Sequence, residues 1–468
     1  MHCPGSNAAG ETSKGKTMKQ LLRGALALAL TSPVFAQNID LRHELAADVS
    51  AEQIQTYIEK LVSFGTRHTL SDTESDTRGI GAARRWIAEE FERISEDCGG
   101  CLEVVIVSDT VLGVRRIPEA TEVVSVVAIQ RGTLDPDRMV MMSGDIDSRI
   151  SDAMNGVSDS PGANDNASGM AGAIEAARVL SKHQFPGTIV YAGLSGEEQG
   201  LFGGRIVAAH ALEEGWRIKA VLNNDMIGNI EGIDGVIDNT TARVFSEGTR
   251  YVETAEEARI RRFSGGEVDS PSRNLARYID RMADRFIPNL DVMMVYRLDR
   301  FGRGGHHRPF NEAGIPGVRI METHEHYHRQ HQDIRVEDGI EYGDVIEGVN
   351  FDYARKLTGL NVVSLAGMAL APPFPADVQI EGAVQPSTTL SWELPTGKPA
   401  ENLAGYKVYW RLTTDHQWTF SRYVGMVDSY TLENIVIDNY LFGVASVSKD
   451  GYESPVVFPG ATGSFGGY

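Results

Sequence analysis

The sequence predicts an α/β fold, in which helices cover both faces of a mostly parallel mixed sheet, followed by a small C-terminal β-sandwich. Two observations carry this prediction. Strand-like apolar runs alternate with segments of helical periodicity over most of the chain, which is the pattern of a parallel sheet with covered faces. A proline-rich break at residues 371–375 then precedes roughly 80 residues of short strand-like segments, which is typical of a β-sandwich.

The elements of the α/β part follow one another in a regular order. Apolar residues recur every three or four positions in four segments, which predicts helices over residues 51–65, 78–95 and 168–181 and a long helix that ends at Leu370. Apolar or alternating runs predict the strands, at residues 102–107, 122–130, 139–143, 188–194, 219–222 and 317–321.

Composition excludes several classes of protein. Hydrophobic residues make up 42% of the 468 residues and charged residues 23%, which is typical of a soluble folded chain rather than a disordered or polytopic membrane protein. Asp and Glu number 64 against 44 Lys and Arg, and the resulting net charge of −20 repels phosphate backbones. We therefore expect no nucleic-acid partner.

Residues 1–36 have the pattern of a leader. From Met18, a lysine precedes an apolar stretch that ends in small residues at Ala36, which predicts a secretory signal peptide cleaved after Ala36 and export to the periplasm or the medium. No apolar run is long enough for a stable membrane span. In an oxidising compartment, the isolated pair Cys98 and Cys101 is expected to form a disulfide rather than a metal site.

Acidic and imidazole side chains follow the predicted strands where each strand ends. They are Asp145 and Asp147, Glu197 and Glu198, Asp225, and a final loop with His324, His326, His328 and His331; Asp165 precedes the helix that begins at Ser168. Each group alone also fits an ordinary role as a helix cap or an exposed loop. Because parallel strands end at one edge of a sheet, however, these groups should converge there. Their mutual repulsion then calls for one or two divalent cations.

Several motifs carry a resemblance to a known family. The segments GDIDSR, SPGANDNASG, SGEEQGLFGG, NNDMIG and YHRQHQD resemble the co-catalytic zinc aminopeptidase family, which includes bacterial leucyl aminopeptidases, glutamate carboxypeptidase and transferrin-receptor-like proteins. The resemblance covers about residues 50–370. It implies a zinc exopeptidase-like fold for a catalytic domain over residues 37–371, two divalent metal ions, expected to be zinc, and peptide substrates. The implied reaction is hydrolysis of N-terminal peptide bonds by a hydroxide held between the metals.

The resemblance also implies roles for individual residues. Asp165 would bridge both metals, Glu198 would bind one and Asp225 the other, and Glu197 would act as the general base. A histidine of the final loop would complete the first metal site. His331 is our choice, with His328 as the alternative. The family further implies a cis peptide bond between Asp165 and Asn166.

Two positions depart from the family pattern. Asp145 stands where the family has the histidine of its HxDS segment, and Gly305-His306-His307 stands where it often has Ser-Asp-His. We expect Asp145 to bind the second metal through an oxygen, which would admit manganese or cobalt as well as zinc. Asp147 then needs a new partner, such as Arg149 or a backbone amide, and His306 or His307 could supply the missing nitrogen. The alternative is that Asp145 binds no metal.

Other functions stay open on the same fold. A carboxypeptidase or an aminoacylase-like amidohydrolase would use the same metal site. A metal-depleted binding module without catalysis, as in transferrin-receptor-like domains, would not use it at all.

The C-terminal segment carries a second resemblance. The strand around Trp392, the Tyr406–Tyr409 strand, Leu432 and the 440–444 run resemble a fibronectin type III module over residues 372–468. Such a module would offer a contact with a protein or a surface.

Overall fold

The structure is a computed structural model that describes residues 40–466. The predicted signal peptide lies outside the described residues, so export stays a prediction. Within residues 40–466, no helix has both the length and the apolar character needed to cross a membrane.

Helices and strands alternate as the sequence predicts. The helices are Leu41–Asp48 (α1), Ala51–Val62 (α2), Gly79–Asp97 (α3), Ala167–Leu180 (α4), Glu197–Gly200 (α5), Phe202–Glu213 (α6), Ala255–Ser264 (α7), Pro271–Phe286 (α8), His307–Glu312 (α9) and Phe351–Leu370 (α10). The strands of the α/β part are Leu102–Val111 (β1), Thr121–Gln130 (β2), Asp135–Asp145 (β3), Gly187–Leu194 (β4), Arg217–Asn224 (β5), Thr241–Phe245 (β6), Asp291–Val295 (β7), Gly317–Glu322 (β8), Arg335–Glu337 (β9) and Ile340–Tyr342 (β10). The strands of the C-terminal part are Ala376–Glu381 (β11), Thr388–Glu393 (β12), Leu403–Leu412 (β13), Phe420–Gly425 (β14), Ser429–Leu432 (β15) and Tyr440–Ser448 (β16).

One mixed sheet organises the α/β part. Its strand order is β1-β2-β4-β3-β5-β8-β6-β7, and the central strands β4, β3, β5 and β8 are mutually parallel. β1 and β2 pair antiparallel at one edge, and β2 pairs antiparallel with β4. The predicted fold class is therefore confirmed. Strands β6 and β7 are not predicted from the sequence, because these five-residue strands are too short for a clear periodicity.

Helices lie on both faces of this sheet. On one face, α4 lies against β3 and β4 and contacts α2, α3 and α10. On the other face, α6 packs against β1 and β2, and α9 packs against β5 and β8. Nearly every side chain of α4 is buried because this helix lies between the sheet and a second layer of helices, which explains its alanine- and glycine-rich sequence.

The C-terminal residues form the predicted β-sandwich. Strands β11, β12 and β15 make one antiparallel sheet, and β14, β13 and β16 make a second. Trp392 of the first sheet and Tyr406 of the second bury their rings against each other, with centroids 5.1 Å apart. The boundary at residues 371/372 and the fibronectin type III identity stay predictions.

A disulfide joins Cys98 and Cys101, as the sequence predicts. Cys98 is the residue that follows α3, and Cys101 is the residue before β1. The covalent link therefore closes the tight turn between the helix and the edge strand.

A buried ionic cluster joins the β-sandwich to the α/β part. Both carboxylate oxygens of Asp269, at 2.8 and 2.9 Å, accept hydrogen bonds from Arg411 of β13, and one oxygen also accepts from Arg277 of α8 at 2.9 Å. All three side chains are essentially inaccessible to solvent. Removal of the acid would leave two buried guanidinium groups without their counter-ion.

We expect Asp269→Ala to lower the free energy of unfolding by about 3–5 kcal/mol, the usual cost of breaking a buried ion pair. Urea unfolding followed by fluorescence would measure it. Asp97→Ala is the matched control, because Asp97 forms an exposed pair with Arg93 at 2.8 Å and should cost about 1 kcal/mol or less. Equal losses for the two variants would contradict a structural role of the buried cluster.

Candidate metal centre

Four buried carboxylates lie at the carboxyl edge of the parallel strands. Asp145 ends β3, Glu198 follows β4 at the start of α5, Asp225 follows β5, and Asp165 lies in the loop before α4. These four residues are between 1% and 8% exposed. The convergence that strand topology predicts is therefore present.

Asp165, Glu198 and His331 form a compact group of metal-ligand type. His331 Nε2 lies 2.8 Å from Asp165 Oδ2 and 2.9 Å from Glu198 Oε1. One ligand atom from each residue lies within 4.8 Å of the other two. Carboxylate oxygens and imidazole nitrogens are both zinc donors, and a catalytic zinc ion takes three protein ligands and keeps a fourth position open.

The electrostatics of this group favour a cation. Burial alone would raise the pKa of Asp165, but attraction and hydrogen bonding from His331 outweigh it and hold that pKa well below its ordinary value. Glu198 behaves in the same way: burial is outweighed by His331 and by Arg149, whose Nε donates to Glu198 Oε2 at 2.6 Å. Both carboxylates therefore stay ionised beside a positive partner, which is the state that a metal ion requires.

The loop before α4 holds Asp165 in place. Asp344 accepts hydrogen bonds from the backbone N–H groups of Asn164 and Asp165 at 2.8 and 2.7 Å. The peptide bond between Asp165 and Asn166 is cis, which confirms the expectation from the family resemblance. Asn166 caps α4 by accepting from the N–H of Gly169 at 3.0 Å, so the position of the loop is tied to the helix.

Glycines allow α4 to approach the strand ends closely. A Cβ atom at Gly144 of β3 would collide with the backbone of Gly169, and one at Gly169 would collide with the carbonyl of Asn224. Since only glycine fits at both positions, the start of α4 can lie directly against β3 and β5. This contact brings Asp165 to the sheet edge.

Glu197 and Asp147 lie beside the group. Glu197 is partly buried and lines a cavity of about 360 Å³ together with Asp165, Glu198 and His331. Burial raises the pKa of Glu197 well above its ordinary value, and repulsion from Asp225 and Glu198 raises it further.

The two oxygens of Asp147 accept hydrogen bonds from the backbone N–H groups of Glu197 and Glu198, each at 3.1 Å. Asp147 therefore orients the turn with both glutamates, and its expected backbone-amide partner is present.

Asp145 and His306 form a buried pair. His306 Nδ1 lies 2.6 Å from Asp145 Oδ1, and Asn166 Nδ2 donates to Asp145 Oδ2 at 2.7 Å. Burial lowers the pKa of His306 to about 4 and raises the pKa of Asp145 to about 7, so the imidazole is neutral and the two groups share one hydrogen bond. The loop with His306 thus folds inward to Asp145, one of the arrangements that the sequence left open. His307 points elsewhere, with Nε2 2.8 Å from the carbonyl of Leu298.

Asp225 is paired with a buried arginine of β8. Arg319 Nη2 lies 2.8 Å from Asp225 Oδ2, and Nη1 donates to Asp299 Oδ2 at 3.1 Å and to the carbonyl of Gly304 at 2.8 Å. Arg319 is fully buried. Its fixed positive charge neutralises the carboxylate that was expected to bind the second metal.

His328, the alternative ligand, lies outside the group. Its ring packs against Tyr342 with centroids 4.8 Å apart and against His326 at 5.5 Å. His331, three residues later, adopts a positive φ of 54° and is the histidine that contacts the two carboxylates.

The two expected metal sites differ in how well the residues fit an ion. Asp165, Glu198 and His331 fit one divalent cation by donor type and spacing. Within residues 40–466, by contrast, Asp145 and Asp225 belong to no group of three closely spaced ligands. Their oxygens contact His306 and Arg319 instead. The first site is therefore preformed, and a second ion would have to displace these partners.

Sequence reasoning missed several residues that shape the site. From the sequence, Arg149 is expected only as a partner of Asp147, whereas the structure shows it in contact with Glu198. Gln330, which the sequence does not single out, donates to Asp165 Oδ2 at 3.2 Å. Arg319 lies within a strand that is predicted from its apolar neighbours. A charged residue within a run of buried strand residues was the available signal, because such a charge needs a buried partner.

Comparison with known proteins identifies the family of the chain. The sequence profile of peptidase family M28 matches residues 125–347. A probable zinc metalloprotease of Leptosphaeria maculans is 42% identical over 416 residues, which are 89% of this chain and 96% of that protein. A second, from Pyrenophora tritici-repentis, is 41% identical over 415 residues, which are 88% of this chain and 85% of that protein.

Solved structures show the same fold at lower sequence identity. The Legionella pneumophila LapA aminopeptidase superposes with a TM-score of 0.51 at 20% identity, over 70% of this chain and 75% of that chain. LapB from the same organism gives a TM-score of 0.51 at 18% identity, with the same coverage. From the fungal relatives, which are matched over most of their length, we conclude that the chain belongs to peptidase family M28.

Proposed function

We propose that the protein is a zinc-dependent aminopeptidase that hydrolyses N-terminal peptide bonds. The observation that carries this proposal is the group of Asp165, Glu198 and His331 beside Glu197 in one cavity. The fungal relatives are named as zinc metalloproteases, and LapA, which has the same fold, is named as an aminopeptidase. Both names support the proposal.

The metal site would supply the electrophile of the reaction. A zinc ion bound by Asp165, Glu198 and His331 would polarise the scissile carbonyl and make water more acidic. Arg149, which donates to Glu198, would keep that ligand oriented.

Glu197 would move the proton. Glu198 is engaged by His331 and Arg149, whereas Glu197 lines the cavity and its pKa is raised by burial. A raised pKa makes a carboxylate a stronger base, which can take a proton from water and return it to the leaving amine. Asp147 fixes the backbone of Glu197 and so its reach.

Carboxylates in the cavity support an amino-terminal substrate. Asp165, Glu197, Glu198 and Asp225 line the cavity, and a carboxylate that does not bind the metal ion can attract a protonated α-amino group. A carboxypeptidase is the second candidate, since arginines also line this cavity and could bind a terminal carboxylate. Peptides with a free amino end and an amidated carboxyl end separate the two functions: an aminopeptidase cleaves them, whereas a carboxypeptidase needs the free carboxylate.

We also propose that the protein binds a second metal ion, more weakly than the first. Asp145 and Asp225 would hold it together with Asp165, and zinc, manganese and cobalt are the candidate metals. Binding would require Asp225 to exchange its contact with Arg319 for one with the ion. The competition with this fixed guanidinium lowers the affinity of the second ion relative to the first.

We expect Glu197→Gln to lower kcat by about 10²–10⁴-fold, because the amide keeps the shape of the side chain but cannot accept a proton. Steady-state kinetics on free-amino peptides would measure this loss, with zinc content and the thermal midpoint as checks that the site and the fold persist. Glu214→Gln, an exposed position after α6, is the control with the same chemical change. Activity of Glu197→Gln within a few-fold of the wild type would assign the base to another residue.

We expect Asp165→Ala to abolish tight zinc binding and Asp145→Ala to retain it, because only Asp165 belongs to the preformed group. Metal content per chain after dialysis against a weak chelator, measured by mass spectrometry of the element, would test this. A second, weaker equivalent should appear in wild type at higher free zinc and disappear in Asp145→Ala. Loss of the tight equivalent in Asp145→Ala would refute the assignment.

A further inference from the structure

Six arginines among residues 40–466 line the cavity that holds the proposed catalytic group, together with Asp165, Glu197, Glu198 and Asp225. Arg116 and Arg149 donate to Glu198, and the other four are Arg205, Arg300, Arg303 and Arg308. We call these four residues the arginine wall. Arg205 comes from α6, Arg308 from α9, and the other two from the loop between β7 and α9. The whole chain carries a net charge of −20, so a concentration of arginines at this place is not explained by composition.

The arginine wall keeps an excess of positive charge. Arg205 and Arg308 share one counter-ion, Glu312, at 3.1 and 2.7 Å. Each glutamate can neutralise only one of the guanidinium groups that contact it. Positive charge is therefore left over at this pair.

The second pair of the wall is arranged in the same way. Arg300 and Arg303 share Glu325, at 3.0 and 2.9 Å, and Arg243 contacts the same carboxylate at 3.2 Å. Asp299 also contacts Arg300 at 3.1 Å, but it contacts the buried Arg319 as well. Its charge is therefore shared between two guanidinium groups, and the second pair too remains positive.

The guanidinium groups are more accessible than their counter-ions. The side chains of Arg205, Arg308 and Arg303 are 46%, 43% and 33% exposed and that of Arg300 is 8% exposed, whereas Glu312 and Glu325 are 20% and 5% exposed. Three of the four arginines are therefore much more open to a ligand than the acids that they contact.

The remaining lining does not favour an apolar substrate side chain. As far as residues 40–466 define the cavity, Leu201 is its one large apolar residue, and Gly200, Gly302 and Gly304 leave space between the arginines. An arginine binds a carboxylate through two parallel N–H···O bonds, which a neutral side chain cannot match. The chemistry of the wall is therefore that of a carboxylate receptor.

From these observations we propose that the arginine wall selects peptides with Asp or Glu at the N-terminal position. This proposal rests on the proposed aminopeptidase function. The amino group and the side-chain carboxylate of such a residue carry opposite charges a few atoms apart. The cavity presents both complementary charges, because four carboxylates and the arginine wall belong to its lining.

The test compares amidated peptides that differ only at the first residue. Glu and Gln have the same shape, so the ratio of their kcat/KM values isolates the effect of the charge; Leu and Lys at the same position complete the series. We expect Glu to exceed Gln by roughly tenfold or more at low salt, and the ratio to fall as ionic strength rises. Amidation removes the terminal carboxylate. A matched dipeptide with a free carboxyl end shows whether the arginine wall binds the terminal carboxylate rather than the side chain of the first residue.

The double variant Arg205→Gln with Arg308→Gln should bring the Glu/Gln ratio close to one. Arg93→Gln is the matched control, since Arg93 is 47% exposed and also paired with acids, but lies on α3 away from the cavity; its ratio should match wild type. An unchanged ratio in the double variant, or a wild-type ratio near one while peptides are cleaved, would overturn the proposal and leave the aminopeptidase function intact.

A binding measurement tests the arginine wall independently of the proposed aminopeptidase activity. Calorimetric titration of the Glu197→Gln protein with the Glu and Gln peptides requires no turnover. Tighter binding of the Glu peptide that disappears with Arg205→Gln and Arg308→Gln would support the wall even if no peptide is hydrolysed. Equal binding of both peptides would overturn it.

Discussion

Repulsion between four buried carboxylates at one sheet edge is the constraint on which the site depends. Asp145, Glu198 and Asp225 are brought together because their strands are parallel and end on the same side, and the loop before α4 adds Asp165. Buried carboxylates destabilise a fold in the ionised state unless cations neutralise them, and burial accordingly raises the pKa of Asp145 to about 7 and that of Asp225 to about 8. Every positive or hydrogen-bonding group nearby can be understood as part of this compensation.

The compensation differs between the two halves of the site. Asp165 and Glu198 face His331. A metal ion can replace the positive charge of this histidine, because a neutral imidazole is itself a metal ligand. Asp225 faces Arg319, a guanidinium that stays charged and binds no metal. One half of the site can therefore exchange its positive charge for that of a metal ion, whereas the positive charge of the other half belongs to a side chain of the protein.

Arginine–carboxylate pairs also occur in the buried cluster around Asp269, where solvent exposure is much lower than at the arginine wall. Arg277 and Arg411 are fully buried around Asp269, where they join the β-sandwich to α8, and their contribution is structural. The arginine wall is partly exposed and has fewer acids than arginines, which leaves it free to interact with a ligand. Burial and the balance of charge, rather than residue type, separate the two roles.

The sequence by itself determined the fold class, the central strands and the acids at their ends, because apolar periodicity and turn residues act over a few neighbouring positions. It also singled out Asp165, Glu197, Glu198 and His331 through local motifs. Only the tertiary structure decided the pairing of Asp145 with His306 and of Asp225 with Arg319, and the assembly of the arginine wall from distant segments. Those contacts join residues about 100 to 160 positions apart in the chain, and electrostatic interactions depend on separation in space, which no local pattern encodes.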